Sequence, residues 1–546
     1  MFSGLSRESM VNIVFEGCCH GELDKIYKSL QKLSVPIDLL IIGGDFQAAR
    51  NWRDLNCMAV PAKYQRLGDF HAYYSGKKVA PITTIFVGGN HEASNYLWEL
   101  YYGGWVAPNI YYIGAGNILN FDGVRIGGLS GIWKEGDYYK GHFERVPYTE
   151  GTKRSIYHIR QYDVLKLYQV SEQVEIMVSH DWPAGVEHFG RLNELLTKKK
   201  FLKSDIDSKA LGSPPAMSLL GRIRPRHWLS AHLHVKYAAI VKHKPTCQPT
   251  SVSTDQATQM TECFRQISTT VISNDGPAGN ARGVRIGLDD LMPTTVDGAV
   301  PNTYANEDEI EIDIFSGQDA SRSLSPDDKN LVEDRDDNQD NLATDIPVQS
   351  VTKSLVGQID ALPEIRVNAI SDRTASARLV PIEDEAGTSS TENTKGDTGF
   401  TETRFLALDK CLPRREFLQV IQVPTQEHIG TTHQLCYDPE WLAITKAMSP
   451  YMSLDERQPQ LFATATEREA LEESIRKARE WVQKNVVEVG KLEIPSNFVH
   501  TAPFSQSADS SMRTGNLQPT EYNNTQTQDF CDMLGIPNRI WRDQGQ

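Results

Sequence analysis

Gly88-Gly89-Asn90-His91-Glu92 follows directly on the apolar run Ile82-Thr83-Thr84-Ile85-Phe86-Val87. A β-branched run that ends in two glycines, then an amide and an imidazole, predicts a buried strand delivering polar side chains to a loop at its C-terminal edge. Proteins of the α/β class keep their chemistry at such edges. Taken alone, the pentapeptide fits a turn with a hydrogen-bonded histidine equally well, and recurrence of the pattern decides between the two. Val11-Asn12-Ile13-Val14-Phe15 runs into Glu16-Gly17-Cys18-Cys19-His20-Gly21, and Asp38-Leu39-Leu40-Ile41-Ile42 into Gly43-Gly44-Asp45. Val174-Glu175-Ile176-Met177-Val178-Ser179 runs into His180-Asp181, and His227-Trp228-Leu229-Ser230-Ala231 into His232-Leu233-His234. All five runs end in a residue able to ligate a metal, and four of the ends carry histidine.

The chain has 546 residues, enough for two or three domains with a sizeable core. Its hydrophobic fraction of 39% is low for a chain packed throughout, so part of it is expected to stay unpacked. The net charge of -15 argues against a polyanionic substrate until its distribution is read. Residues 1–240 hold 28 Lys+Arg against 23 Asp+Glu, whereas residues 305–345 hold 14 acidic against 3 basic side chains. The acidity is concentrated in one segment, and the N-terminal part is mildly basic. The eight cysteines lack the dense spacing of a secreted disulfide scaffold. No apolar stretch approaches the roughly 18 to 20 residues of a membrane span, and the first twenty residues hold no signal-peptide core. The expectation is a soluble, reducing, intracellular setting with no membrane partner.

From residue 11 to 245 the pattern is strand, polar loop, then helix or second strand. Leu23, Ile26, Leu30 and Leu33 share one helical face, so the Cys18/His20 loop leads into an amphipathic helix. Residues 109–125 read as two shorter strands. Residues 130–158 are rich in Gly, Tyr, Lys, Arg and His and show no sustained apolar period, which marks a stretch that is disordered or functional. Residues 246–399 hold three aromatics (Phe264, Tyr304, Phe315) and long polar tracts; most of that segment is read as disordered. Order returns at Arg404-Phe405-Leu406-Ala407-Leu408-Asp409 and Phe417-Leu418-Gln419-Val420-Ile421-Gln422-Val423, two runs able to pair with each other or with an edge of the N-terminal sheet. Residues 466–485 predict a helix with Thr466 and Glu469 as a capping box and Leu471, Ile475, Ala478 and Val482 on one face. A short element is expected over residues 530–540. The domain plan is an extension over 1–10, a catalytic unit over 11–245, an acidic insertion over 246–400 and a C-terminal unit over 401–540.

Divalent metals at a hydrolytic site need charged or imidazole ligands fixed by rigid backbone, and strand ends hold them well. His20, His180, His232 and His234 are imidazole candidates, Asp45 is a carboxylate able to bridge two ions, and Asn90 offers an amide oxygen. Two metals about 3.5 to 4 Å apart clamp a phosphoryl oxygen and activate water near neutral pH. The residues point to phosphoester hydrolysis.

The ordered set Gly-x-x-His, Gly-Gly-Asp, Gly-Gly-Asn-His-Glu, Ser-His-Asp and His-Leu-His resembles the calcineurin-like metallophosphoesterase superfamily, whose fold is an αββα sandwich around a dimetal site. Two departures narrow the likeness. The superfamily usually carries Asp-x-His in its first loop, where this chain has Cys18-Cys19-His20. Its protein phosphatases continue the second motif with Asp-Arg-Gly, where this chain has Asp45-Phe46-Gln47. With Gly17-Cys18-Cys19-His20-Gly21-Glu22-Leu23-Asp24, Tyr102-Gly103-Gly104-Trp105-Val106-Ala107-Pro108-Asn109, Ser155-Ile156-Tyr157-His158 and Ser230-Ala231-His232-Leu233-His234-Val235-Lys236, these departures resemble the RNA lariat debranching enzyme family. The likeness covers residues 11–245 and resumes at Phe405-Leu406-Ala407-Leu408-Asp409-Lys410-Cys411-Leu412-Pro413.

The resemblance implies an αββα catalytic unit with a family-specific C-terminal domain interrupted by a long disordered insertion. It implies a phosphodiesterase that opens the 2′–5′ bond of branched lariat RNA in intron turnover, a part of mRNA processing. One metal pocket would use Cys18, His20, Asp45 and His234, the other Asp45, Asn90, His180 and His232. His91 falls on the family's general acid, which protonates the departing 2′-oxygen. Residues 130–158 correspond to its lariat recognition loop, where Trp133, Tyr138, Tyr139 and Tyr157 offer stacking faces and Lys140 and Arg154 offer cations for phosphates. The thiolate at position 18 favours Fe(II) or Zn(II), with Mn(II) as an in-vitro substitute, at one or two ions per chain. Cys19 is read as packing, and Lys198-Lys199-Lys200 as an exposed helix end. The substrate implies a nuclear setting with passage to the cytoplasm, spliceosome-associated partners and a monomer. A metallophosphatase or phosphodiesterase acting on phosphoprotein or small nucleotides, and a non-catalytic scaffold of the same fold, are the competing readings.

Overall fold

A computed structural model describes residues 9–61, 64–243, 399–425, 433–505 and 515–541. The segment read as an acidic insertion lies outside the described residues, apart from its last two positions. The alternation of apolar runs and polar loops folds into two stacked sheets. The first has six strands in the order β12-β1-β2-β3-β5-β4, with β1 Ser9–Glu16, β2 Leu39–Ile42, β3 Thr84–Phe86, β4 Gly104–Ala107, β5 Ile110–Tyr112 and β12 Leu418–Thr425. The second has seven in the order β10-β11-β9-β8-β7-β6-β13. Its strands are β6 Gly116–Phe121, β7 Val124–Leu129, β8 Ile176–Ser179, β9 His227–Ser230, β10 Tyr237–Lys242, β11 Glu402–Ala407 and β13 Leu435–Tyr437.

Side-chain alternation explains the layering. Val11, Ile13 and Phe15 of β1 join Ile126 of β7, Ile176 and Val178 of β8 and Leu229 of β9 in the core between the sheets. Val14 of the same β1 points the other way, into a layer with Leu23, Ile26 and Leu30 of the helix Leu23–Leu30. The seven-stranded sheet is covered on its outer face by the helices Gln161–Tyr168, Pro214–Ile223, Pro439–Met448 and Ala465–Val482. This is the αββα sandwich expected. The expected pair of strands over residues 109–125 is instead part of a run of four, β4 to β7, because Asn109, Gly114 and Gly123, all at positive φ, turn the chain between successive strands.

Of the two runs expected to pair with each other or with an edge of the N-terminal sheet, Leu418–Thr425 adds to an edge beside β1, whereas Glu402–Ala407 enters the interior of a sheet. β11 inserts between β9, to which it is parallel, and β10, to which it is antiparallel. β12 crosses to the other sheet and runs antiparallel along the whole of β1. One C-terminal segment thus stitches both sheets of the catalytic unit. β1 starts at Ser9, two residues before the boundary predicted for the extension. The long helix starts at Ala465, and its capping box is Thr464 with Glu467, two residues before the predicted pair; the predicted apolar face is the one buried. The element predicted over 530–540 is the end of the helix Thr525–Leu534, stopped by Gly535 at φ +60°.

Candidate metal centre

β1, β2 and β3 are mutually parallel, as are β7, β8 and β9, so the polar ends of five strands open at one edge of the sandwich. All seven predicted ligands meet there. The Cys18, His20, Asp45 and His234 ligand atoms lie within 4.8 Å of one another. His20 Nε2 is 2.9 Å from His234 Nε2 and 3.7 Å from Asp45 Oδ2. On the other side, His180 Nε2 is 3.4 Å from Asp45 Oδ1 and 3.2 Å from Asn90 Oδ1, and the His180 and His232 ring centroids are 5.0 Å apart. Asp45 therefore offers one oxygen to each half of the site.

The donor set fits divalent cations on the structure's own terms. The His180 Nδ1–H donates to the Gly43 carbonyl at 2.8 Å, so in the neutral ring Nε2 carries a lone pair. That lone pair faces the amide oxygen of Asn90 and the carboxylate of Asp45, with no proton to share. Burial keeps the imidazoles neutral, with His20 and His232 both pushed down to about 3 and His180 lowered in the same direction. Burial pushes the Asp45 carboxyl up, but the His180, His91 and His20 rings around it outweigh burial and hold it well below the usual carboxylate range. The Cys18 thiol is pushed up by burial and by the Asp45 and Glu16 carboxylates, a shift that a bound cation reverses.

The backbone around the centre is strained. His20, Asp45, His232 and His234, four of the seven, lie at φ between 46° and 61°, a left-handed region that costs non-glycine residues about 1–3 kcal/mol each. Neighbouring glycines make room for the packing. A Cβ on Gly44 would stand 2.3 Å from His180 Nδ1, and one on Gly89 would stand 2.3 Å from Asp45 Oδ1.

His91 sits beside the centre with its ring centroid 5.9 Å from that of His20, and its backbone N–H donates to Asp45 Oδ1 at 2.9 Å. Asn90 Nδ2 donates to His91 Nε2 at 3.3 Å, which leaves Nδ1 as the N–H donor of the ring. Among the described residues that Nδ1 has no hydrogen-bond partner.

Glu92 is a residue the sequence reading missed as functional. Its buried carboxylate accepts the backbone N–H groups of Phe46 (2.8 Å), Gln47 (2.8 Å) and Gly89 (2.9 Å), clipping the loop that bears Asp45 to the loop that bears Asn90 and His91. Its place in the Gly-Gly-Asn-His-Glu run was the only signal.

Residues 130–158 form an ordered loop with two short helices, Glu135–Tyr138 and Glu150–Ser155. The predicted RNA-facing residues separate within it. Tyr139 is 57% exposed and Arg154 is exposed, whereas Tyr138 is buried with its ring edge-on to Trp133 at 4.9 Å. Trp133 is half-buried, and its backbone N–H donates to Asp181. Lys140 is held by Asp137 at 3.1 Å and Glu456 at 2.9 Å. Tyr157 is half-buried beside a cavity of about 60 Å³ that also touches Gly88, Gly89 and Glu92. Of the predicted helix end, Lys198 and Lys200 are exposed and Lys199 is buried.

Residues 11–236 match the calcineurin-like phosphoesterase family, and residues 400–539 match the lariat debranching enzyme C-terminal domain. A lariat debranching enzyme of Schizosaccharomyces pombe is 36% identical over 526 residues, 96% of each chain. That of Arabidopsis thaliana is 33% identical over 531 residues, 96% of this chain and 87% of the plant protein. The Homo sapiens enzyme is 53% identical over 238 residues, 43% of this chain and 44% of the human one.

Proposed function

The chain belongs to the lariat debranching enzyme family, and from that premise we propose that it hydrolyses the 2′–5′ phosphodiester bond at the branch point of excised intron lariats, leaving linear RNA. The observation that carries this reading is the kinship along nearly the whole chain, which includes both the metal-binding loops and the C-terminal segment that stitches the sheets together.

The family's chemistry rests on divalent metal ions. Cys18, His20, Asp45 and His234 would hold one, and Asp45, Asn90, His180 and His232 the other. When bound, such ions polarise the phosphoryl oxygen and lower the pKa of water. The remaining work belongs to the chain. The Gly43 carbonyl fixes the orientation of His180, and Glu92 keeps the Asp45 and Asn90 loops in register. His91 gives its proton to the departing 2′-oxygen, so the phosphate stays on the 5′ end of the released arm. Tyr139 and Arg154 meet the RNA beyond the branch. The thiolate of Cys18 selects Fe(II) or Zn(II) in its pocket. The protein works in the nucleus, where splicing makes its substrate.

The test offers purified protein a synthetic branched RNA, a phosphoserine peptide and a cyclic nucleotide. Debranching with the other two left intact is expected. Cleavage of the peptide or nucleotide without debranching would overturn the reading.

A further inference from the structure

Immediately after β11 the chain passes the first metal-binding loop. Cys18 and Lys410 form a parallel bridge, and the Cys411 N–H donates to the Cys18 carbonyl at 3.3 Å. Residues paired directly across adjacent strands carry their side chains on the same face. The face is identified by Cys18 itself, whose Sγ accepts the His232 N–H at 3.2 Å inside the metal centre. Lys410 is only 8% exposed. Its neighbour Asp409 is already occupied: one oxygen takes the Lys410 backbone N–H at 2.8 Å, and the other lies 3.4 Å from Arg415. Among the described residues Lys410 makes no ion pair within 4.0 Å.

Lys199, likewise 8% exposed, and Arg415 are cations that act on Lys410, and the Asp409 carboxylate opposes them. Desolvating an ammonium beside a site built for cations is doubly unfavourable, because burial and like charge both oppose it. A group kept there for packing alone would be better apolar. The arrangement makes sense when an anion completes it.

We propose that Lys410 is a phosphate-binding residue of this centre, donating to a non-bridging phosphate oxygen of the RNA on the Cys18 side of the pocket. The proposal rests on the debranching reading and adds to it: the C-terminal segment supplies a substrate contact as well as two strands. The phosphate is either the one being cut or one in a flanking arm.

Lys410→Met keeps the aliphatic stem and removes the charge, and Lys410→Arg keeps the charge. Each is compared with the wild type for metal content, thermal midpoint, salt-dependent binding of fluorescein-labelled branched RNA, and kcat/KM on two substrates. One substrate carries a single nucleotide on each arm of the branch, the other long arms. Lys410→Met is expected to fold and load metal normally. It should lose about 10- to 100-fold in kcat/KM, as for one charge-assisted hydrogen bond, and flatten the binding slope against log salt by roughly 0.7. Lys410→Arg should recover part of both. Equal loss on the two RNAs assigns the contact to the scissile phosphate, and loss on the long RNA alone assigns it to a flanking one. Lys410→Met with wild-type binding and turnover on both RNAs would overturn the proposal. So would a loss that added metal repairs, or one that tracks a lowered thermal midpoint, because either makes the residue structural. A wild-type chain that leaves both RNAs intact would remove the debranching reading itself.

Discussion

His180 Nε2 and Asn90 Oδ1 face each other at 3.2 Å with no proton between them, because the Nδ1–H of His180 is committed to the Gly43 carbonyl. Asp45 Oδ1 adds a third lone-pair donor 3.4 Å from the same ring nitrogen. Such a convergence is repulsive until a cation enters. Divalent metal should therefore raise the thermal midpoint, by the equivalent of about 2.7 kcal/mol at a hundred times its dissociation constant. Differential scanning with metal and with chelator checks this, and a midpoint indifferent to metal would contradict it.

Metal uptake should release about one proton at neutral pH, and Cys18 should be its source. The His20 and His232 imidazoles, held at about 3 by burial, have no proton to lose at pH 7. The Cys18 thiol, pushed up by burial and then by Asp45, is still protonated before metal arrives. Affinity should thus rise about tenfold per pH unit between pH 6 and 8. Calorimetry in buffers of different ionisation enthalpy counts the proton. Cys18→Asp should bind metal without releasing it and should favour harder ions such as Mn(II), whereas Cys19→Ser should leave the count unchanged, since Cys19 packs among Leu23 and Ile26.

His91→Ala should bind branched RNA and metal almost as the wild type does, while the single-turnover rate falls by ~10²–10⁴, the span usual for loss of a general acid. Rapid-quench kinetics on branched RNA reads it directly. Unchanged turnover would take His91 out of the reaction.

Glu92→Ala strands three backbone N–H groups, each costing roughly 1–3 kcal/mol if left buried without an acceptor. The variant should unfold at lower urea and lose metal affinity together. Glu92→Gln, whose single oxygen still serves the Phe46 and Gly89 N–H groups while its amide meets that of Gln47, should fall between the two. Metal affinity unaffected in both would deny the clip its role in aligning the loops.

The five loops were legible because each is a local event: an apolar run that ends in a ligand, with Gly44 and Gly89 placed where a side chain would strike His180 or Asp45. Their convergence follows from parallel strands, which open their C-terminal ends to one edge. What the residues did not announce is non-local. Nothing in Arg404-Phe405-Leu406 says that it will lie between β9 and β10 while Leu418–Thr425 crosses to β1; partner choice depends on strands some 180 and 410 residues away in sequence. Thr464 and Thr466 each precede a glutamate by three, and only the packed helix chooses between the two boxes. Glu92 looked like one more polar loop residue because its acceptors' partners are backbone groups, which leave no mark in sequence. Tyr138 and Lys140 looked like RNA contacts on composition, yet one is buried against Trp133 and the other held by Asp137 and Glu456.

Metal content and debranching rate, measured together on anaerobically purified protein with a synthetic branched RNA, test the account most directly. The predicted result is a linear RNA with a free 2′-hydroxyl at the former branch, formed at a rate that falls to background with chelator and returns in proportion to divalent metal bound. Full-rate debranching by metal-free protein, or metal-loaded protein that leaves the branch intact, would contradict it.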